Sequence, residues 1–128
     1  MSKTLLNPPS AYPSKNPRSC GTKRGPFIFT AGQVAFDSAG ELVGKGDIRA
    51  QTRQAIENIK AILEEGSAAL SDVMKVNIFL SESADKEGMN EVYREFFGED
   101  SPARTAVVAG LASPELLIEI EAVAIVSD

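Results

Sequence analysis

The chain has 128 residues, of which 43% are hydrophobic and 24% are charged, and its 13 basic and 18 acidic residues give a net charge of −5. With no histidine and one cysteine, a single chain cannot form a Ser-His-Asp or Cys-His triad, a histidine-dependent ribonuclease site or an internal disulfide, and a zinc site of the usual ligands is not expected. The acidic balance argues against tight nonspecific nucleic-acid binding, and no apolar run nears the about 20 residues of a membrane helix, so we expect one cytoplasmic domain over residues 1–128.

The N-terminal segment is basic and rich in proline. Residues 1–36 carry five basic residues and no acidic one, whereas the rest of the chain carries 8 basic and 18 acidic residues. The prolines favour an extended arm over a helix, and the segment lacks the apolar stretch of a signal peptide. Lys3 and Lys15 fit a solvated arm, while the alternative is that part of the arm lines a pocket for an anion.

The first predicted strand is FIFTAGQVAF, residues 27–36. A glycine inside a strand suggests a bulge or a close approach at Gly32. The N–H groups of Thr30, Ala31 and Gly32 are candidates for holding an anion. A turn follows at 37–41, and the glycines before Asp47 lack the preceding strand and the lysine of a nucleotide-binding loop.

Two helices and a strand are predicted next. Asp47 is the expected N-cap of a helix that ends at Gly66, and residues 72–80 alternate as a strand does. A second helix, ended by Gly98, has an apolar stripe that indicates core packing, and Asn90 near its start fits a capping or turn residue. That stripe is Met89, Val92, Tyr93, Phe96 and Phe97.

Two strands, 104–111 and 116–126, are predicted to close the chain. Two helices can cover one face of the resulting sheet, including Ile118 and Ile120. The other face carries Val123 and Ile125, and so small a chain has no third layer to cover it. We therefore expect an oligomer.

Arg104 stands at the start of an apolar strand, and its charge cannot be titrated away. It is expected on a strand adjacent and antiparallel to the one carrying Glu119 and Glu121. One interpretation is an ion pair between strands. The other is an anion clamp beside a carboxylate that positions water.

Several motifs resemble those of one family, the Rid proteins, also called YjgF or reactive intermediate deaminases. The motifs are FTAGQVAFDSAGELVGKGDIRAQTRQAIENIKAIL, DVMKVNIFL, MNEVYREFF, PARTAV and IEIEAVAI. The resemblance implies a chorismate-mutase-like α+β fold, with two helices on one face of a mixed sheet. It also implies a homotrimer with pockets between subunits.

The resemblance further implies hydrolysis of 2-imino or enamine acids to 2-oxo acids and ammonia, with no metal or cofactor. Arg104 would bind the substrate carboxylate and Glu119 would help to position the water. Asn90, Gly32 and Ala106 would belong to the pocket.

This chain departs from the best-known deaminase members at two positions. Ala31 stands where they carry serine, and Arg18, by spacing, stands where they carry tyrosine. A second cation suggests a substrate with a second acidic group. The alternative for Arg18 is that it faces solvent or pairs with an acid. The alternative functions are that the protein binds small carboxylic acids without turnover, or that it is a ribonuclease or translation inhibitor.

Overall fold

The structure, a computed structural model, describes residues 2–13 and 15–127. Within these residues, six strands form one mixed sheet in the order β1-β2-β3-β6-β4-β5, with two α-helices packed on it. This confirms the predicted α+β fold. The elements are β1 (Thr4–Leu6), β2 (Gly21–Arg24), β3 (Phe27–Thr30), α1 (Ile48–Glu65), β4 (Val73–Leu80), α2 (Lys86–Phe97), β5 (Ala103–Val108) and β6 (Ile118–Ile125).

Local signals place α1 as predicted. The Asp47 side chain accepts a hydrogen bond from the Ala50 N–H at 3.1 Å, and the helix ends at Gly66. The apolar face of α1 is fully buried against the sheet at residues such as Ile56, Ile59 and Ile62. Since an amphipathic helix gains most of its stability from burying that face, α1 and the sheet form one core.

The N-terminal arm and the strand ends differ from the prediction. Part of the arm forms the short strands β1 and β2, in which Leu6 pairs with Gly21. The proline-rich sequence between the two strands cannot continue this pairing, because proline has no N–H to donate. Strand β3 ends at Thr30, and beyond it the predicted strand keeps isolated bridges from Gln33 to Ile120 and from Phe36 to Leu42. The last two strands are also shorter than predicted, at Ala103–Val108 and Ile118–Ile125.

The neighbour of β5 in the sheet is β4, and the prediction that β5 lies beside β6 is wrong. Strand β5 lies parallel to β4, and β4 lies between β5 and β6. The reason is physical: a helix between two strands returns the chain to the same end of the sheet, so the strands run parallel. Arg104 and Glu119 are therefore not on adjacent antiparallel strands.

One face of the sheet is covered by the helices and the other is not. On β6, Ile118 and Ile120 are buried under the helices, as predicted, whereas Val123 and Ile125 point to the opposite side. Cross-strand pairing places further exposed apolar residues on that opposite side, which we call the helix-free face. They are Leu5, Phe27, Phe29 and Val107.

Across the described residues, neither α1 nor α2 is both long enough and apolar enough to cross a membrane.

Candidate functional site

Arg104 is half-buried at the start of β5, on the helix side of the sheet. It pairs in register with Val76, which is buried under the helices, and residues directly paired in a sheet point to the same face. One guanidinium N–H donates to Asn90 Oδ1 at 2.7 Å, and the guanidinium carbon lies 4.9 Å from the centre of the Tyr93 ring. An N–H of the same guanidinium also lies 4.0 Å from Met89 Sδ, so helix α2 orients Arg104 through Met89, Asn90 and Tyr93.

No carboxylate neutralises Arg104 among the residues that the structure describes. The ion pairs found there are Lys45–Glu115, Arg49–Glu91 and Arg53–Glu95. The strand-to-strand ion pair that the sequence left open is therefore wrong. Arg104 instead lines a surface cleft of about 210 Å³ together with Asn90, Tyr93, Arg94 and Ser101, and we call this the arginine cleft. A half-buried, unpaired guanidinium in a cleft can bind an anion.

Two residues of the arginine cleft differ from their predicted roles. Asn90 lies inside α2, whose N-cap is Asp85, so it is not a capping residue. Tyr93 is buried as predicted, but it also contacts Arg104, and its hydroxyl has no hydrogen-bond partner within the described chain. Burial raises the pKa of the Tyr93 hydroxyl, and the Arg104 charge opposes that rise. The spacing of the apolar stripe could not distinguish this position from ordinary core.

Glu119 lies on the helix-free face near the start of β6. It pairs with Phe79, one position along β4 from the buried Ile78, and successive residues of a strand point to opposite faces. Burial raises the pKa of the Glu119 carboxyl above its usual value, the neighbouring Glu121 raises it further, and Arg18 lowers it. A carboxylate with a raised pKa is better suited to accept a proton from water near neutral pH.

Gly32 has the close approach that the sequence predicted. A side-chain carbon built on Gly32 would overlap the Glu119 carboxylate, so the lack of a side chain at this position makes room for it. The Ala31 and Gln33 N–H groups donate to the carbonyls of Cys20 and Ile120, at 2.7 Å each. Of Ala31, Gly32 and Gln33, Gly32 is thus the residue whose N–H has no backbone acceptor within the described chain.

Arg18 is exposed in the single chain, and its charge reaches the Glu119 carboxylate. Its guanidinium donates weakly to Cys20 Sγ at 3.5 Å, makes no ion pair within the described residues, and is close enough to Glu119 to lower the pKa of that carboxyl. Arg18 and Gly32 also line a cavity of about 20 Å³, room for about one water. Gln33 and Tyr12 line the same cavity, and sequence analysis missed both. We call Arg18, Gly32 and Glu119 the glutamate cluster.

The remaining predicted pocket residues lie beside these two groups. Ala106 lies two residues along β5 from Arg104, and it packs against the core. Ala31 follows the end of β3 and adjoins Gly32. The described residues contain no group of three or more His, Cys, Asp and Glu side chains that could hold a metal ion.

Two of the surface clefts that are larger than the arginine cleft have less suitable chemistry. One of about 690 Å³ is formed mainly by residues 108–117, and its only ionisable side chain is Glu82. The other, of about 520 Å³, contains Lys23, whose ammonium group donates to the Gly66 carbonyl at 2.6 Å. That contact satisfies the end of α1. Neither cleft presents an unpaired, oriented cation.

The arginine cleft and the glutamate cluster lie on opposite faces of the sheet. On β4, Val76 pairs with Arg104 and Phe79 pairs with Glu119, and these two β4 residues point to opposite faces of the sheet. The structure therefore brings Arg104 together with Asn90, and Glu119 together with Gly32 and Arg18, but it does not bring the two groups together within one chain. A ligand can contact both only where two chains meet.

The chain is similar to known proteins over most of its length. The family model described as Endoribonuclease L-PSP matches residues 9–126. A RutC family protein from Pyrococcus abyssi is 49% identical over 125 residues, which cover 97% of this chain and 98% of that protein. The 3-aminoacrylate deaminase RutC from Acinetobacter baylyi is 39% identical over 124 residues, 97% of this chain and 98% of that protein.

A solved structure, E. coli TdcF with bound serine, has the same fold. Its TM-score is 0.90 at 30% identity, and the match covers 97% of this chain and 99% of that one.

Proposed function

This chain belongs to the Endoribonuclease L-PSP family, the YjgF or Rid family, and on that premise we propose that it hydrolyses 2-imino or enamine acids to 2-oxo acids and ammonia. The observation that carries the proposal is the oriented guanidinium of Arg104 in the arginine cleft, which makes no ion pair with any described residue. The similarity to a 3-aminoacrylate deaminase supports a deaminase-like reaction.

Arg104 would bind the substrate through its carboxylate. Asn90 occupies one guanidinium nitrogen, which leaves other N–H donors for two parallel bonds to a carboxylate. This planar contact would fix the direction of the imine carbon relative to the carboxylate. Its contribution to catalysis is therefore orientation, without a covalent intermediate on the protein.

Glu119 would supply the proton transfers. Its carboxylate accepts a proton as water adds to the carbon of the protonated imine, which gives a neutral tetrahedral carbon that bears hydroxyl and amino groups. The same proton then passes to the amino group, and the C–N bond breaks as its electron pair leaves with ammonia. The hydroxyl group becomes the carbonyl and gives its proton to the Glu119 carboxylate, which passes it to ammonia and is free again. The raised pKa of the Glu119 carboxyl supports this use as base and then acid.

The two halves of this site would come from neighbouring subunits of a homotrimer. The arginine cleft and the glutamate cluster are different surfaces that can meet in a head-to-tail contact, and such a contact gives a ring when its rotation closes. The uncovered apolar residues of the helix-free face support assembly. Three subunits would create three equivalent sites.

Ammonia release tests the proposed reaction. Imines generated freshly from several amino acids should release ammonia faster with the protein than without it, with saturation in substrate. If the protein binds the corresponding 2-oxo acids but does not accelerate ammonia release, turnover is contradicted and a carrier of small carboxylic acids is supported.

The pH dependence of the reaction should report Glu119. Burial and Glu121 raise the pKa of this carboxyl, so protonation disables the base at a pH above the ordinary glutamate value of 4.5. We expect kcat/KM to decrease as the pH is lowered through that higher range. Glu119→Gln should remove this acidic decrease along with most of the activity. An acidic decrease that is unchanged in Glu119→Gln would arise from protonation of the substrate and would contradict the role of Glu119 as the base.

Arg18 is proposed to select substrates with a second acidic group. Where two chains meet, it would add a second permanent positive charge to that of Arg104, and it makes no ion pair among the described residues. Even a fraction of the about 4 kcal/mol available to a partly desolvated pair in contact would give about tenfold discrimination. We expect the wild type to favour dicarboxylic imines over those of leucine or methionine, as ratios of kcat/KM.

The matched variants are Arg18→Tyr and Lys15→Gln. Arg18→Tyr should reduce the preference for dicarboxylic substrates, whereas Lys15→Gln, an exposed cation in the same arm, should leave it unchanged. Equal ratios in the wild type and Arg18→Tyr would show that Arg18 does not contact the substrate.

A further inference from the structure

Tyr93 makes the closest aromatic contact to the unpaired cation of the arginine cleft. Its ring centre lies 4.9 Å from the guanidinium carbon of Arg104 and 4.6 Å from the centre of the Phe97 ring. Only 5% of the Tyr93 residue surface is exposed. The Tyr93 ring is therefore packed within α2 beside Phe97, and its face lies against the Arg104 guanidinium.

The hydroxyl of Tyr93 does not account for this arrangement. It is buried and has no hydrogen-bond partner within the described residues, a situation that destabilises a folded protein. A phenylalanine would pack in the same space without that penalty. The feature of Tyr93 that contacts a functional group is therefore its aromatic ring.

An aromatic ring is a suitable support for an anion-binding arginine. A carboxylate would also hold the guanidinium in place, but it would cancel the charge that the ligand needs. The face of a ring attracts the cation and leaves its N–H edge available. Asn90, a neutral amide, acts on the same guanidinium in the same way, through one hydrogen bond of 2.7 Å.

We propose that Tyr93 is the positioning residue of Arg104, whose ring fixes the guanidinium plane so that its free N–H edge meets the substrate carboxylate. This deepens the proposed function, because it rests on Arg104 as the carboxylate-binding group. A guanidinium ordered in advance loses less side-chain entropy when the carboxylate binds.

The test compares Tyr93→Phe, which keeps the ring, with Tyr93→Leu, which removes it. In Tyr93→Leu we expect kcat/KM to fall about 3- to 30-fold, mainly through a higher KM, as the cation–π range predicts. Tyr93→Phe should retain the wild-type value and should be at least as stable to heat. Nitrogen-15 relaxation of the Arg104 side chain should show a rigid guanidinium in the wild type and Tyr93→Phe, and a mobile one in Tyr93→Leu.

The chain also offers a matched control in Phe96, whose ring lies 5.8 Å below the Arg53 guanidinium. Phe96→Leu removes a comparable contact away from the arginine cleft and should leave KM unchanged. If Tyr93→Leu does not fold, Tyr93→Met, which keeps more of the apolar volume, replaces it.

Two results would overturn the proposal. One is a rigid Arg104 in Tyr93→Leu, and the other is an equal loss of kcat/KM in Tyr93→Phe and Tyr93→Leu, which would assign the effect to the hydroxyl. The relaxation measurement is independent of turnover. If the wild type released no ammonia, the proposed function would fail while the measurement still decided whether Tyr93 positions Arg104.

Discussion

Replacing Arg104 with alanine is expected to lower kcat/KM for 2-imino acids by about thirtyfold to several thousandfold. Losing a partly desolvated partner of a carboxylate costs roughly 2–5 kcal/mol, and each 1.4 kcal/mol is about a factor of ten. Arg104 supports no ion pair among the described residues and lies at the surface end of β5. The fold should therefore survive the substitution, as thermal melting and circular dichroism would show.

Two further variants separate geometry from charge. Arg104→Lys should also be poor, because an ammonium keeps the charge but cannot reproduce the planar pair of donors. Arg94→Ala removes an exposed cation that lines the same cleft, and it should reduce kcat/KM by less than about threefold, as an exposed charge does. Wild-type turnover in Arg104→Ala, or equal losses in Arg104→Ala and Arg94→Ala, would reject Arg104 as the specific carboxylate-binding group.

Introducing a charge on the helix-free face is expected to abolish both assembly and activity. Phe29 is 52% exposed and pairs with Val123 across β3 and β6. If subunits cover this face, Phe29→Glu buries a carboxylate without a partner, which costs several kcal/mol per subunit. Light scattering at micromolar concentration should show a trimer for the wild type and a monomer for Phe29→Glu, whose kcat/KM should fall by more than about a hundredfold.

Lys60→Glu is the control for added negative charge, since Lys60 lies on α1 on the other side of the sheet. This variant should remain trimeric and active. A wild type that is monomeric at micromolar concentration would rule out the proposed assembly, and a trimeric Phe29→Glu would remove the helix-free face from the interface.

Local sequence signals predicted the parts of the fold that are decided locally. Asp47 and Gly66 define the ends of α1 because capping and termination depend on neighbouring residues alone. The alternation in β6 predicted which side chains are buried for the same reason. The short strands β1 and β2 were missed because β1 is stabilised by pairing with β2 and β2 by pairing with β3, which no local pattern records.

The candidate site was predicted in its residues but not in its arrangement. Arg104 was singled out as a charge at the start of an apolar strand and Glu119 by the family resemblance, yet their placement on opposite faces depends on the register with which β5 and β6 pair to β4. The helix between β4 and β5 did carry part of that information, because a strand-helix-strand unit favours parallel pairing. Tyr93 was assigned to the core correctly, and only the three-dimensional contact distinguished it from Phe97.

The name Endoribonuclease L-PSP, which the family model carries, also suggests RNA cleavage. The chain has no histidine and a net charge of −5, which leaves neither the usual acid-base pair nor a strong attraction for phosphate. RNA cleavage that persists in Arg104→Ala would arise from a contaminant or from a different site.

The central claim is that each site combines Arg104 of one subunit with Glu119 of another, and subunit mixing tests it most directly. Arg104→Ala and Glu119→Gln, each inactive alone, are unfolded together in equal amounts and refolded. In a cyclic trimer, about a quarter of the sites then receive both native residues, so we predict about a quarter of the wild-type rate of ammonia release. If the two residues act within one chain, no mixed assembly contains an intact site, and a mixture as inactive as its parents would contradict the account.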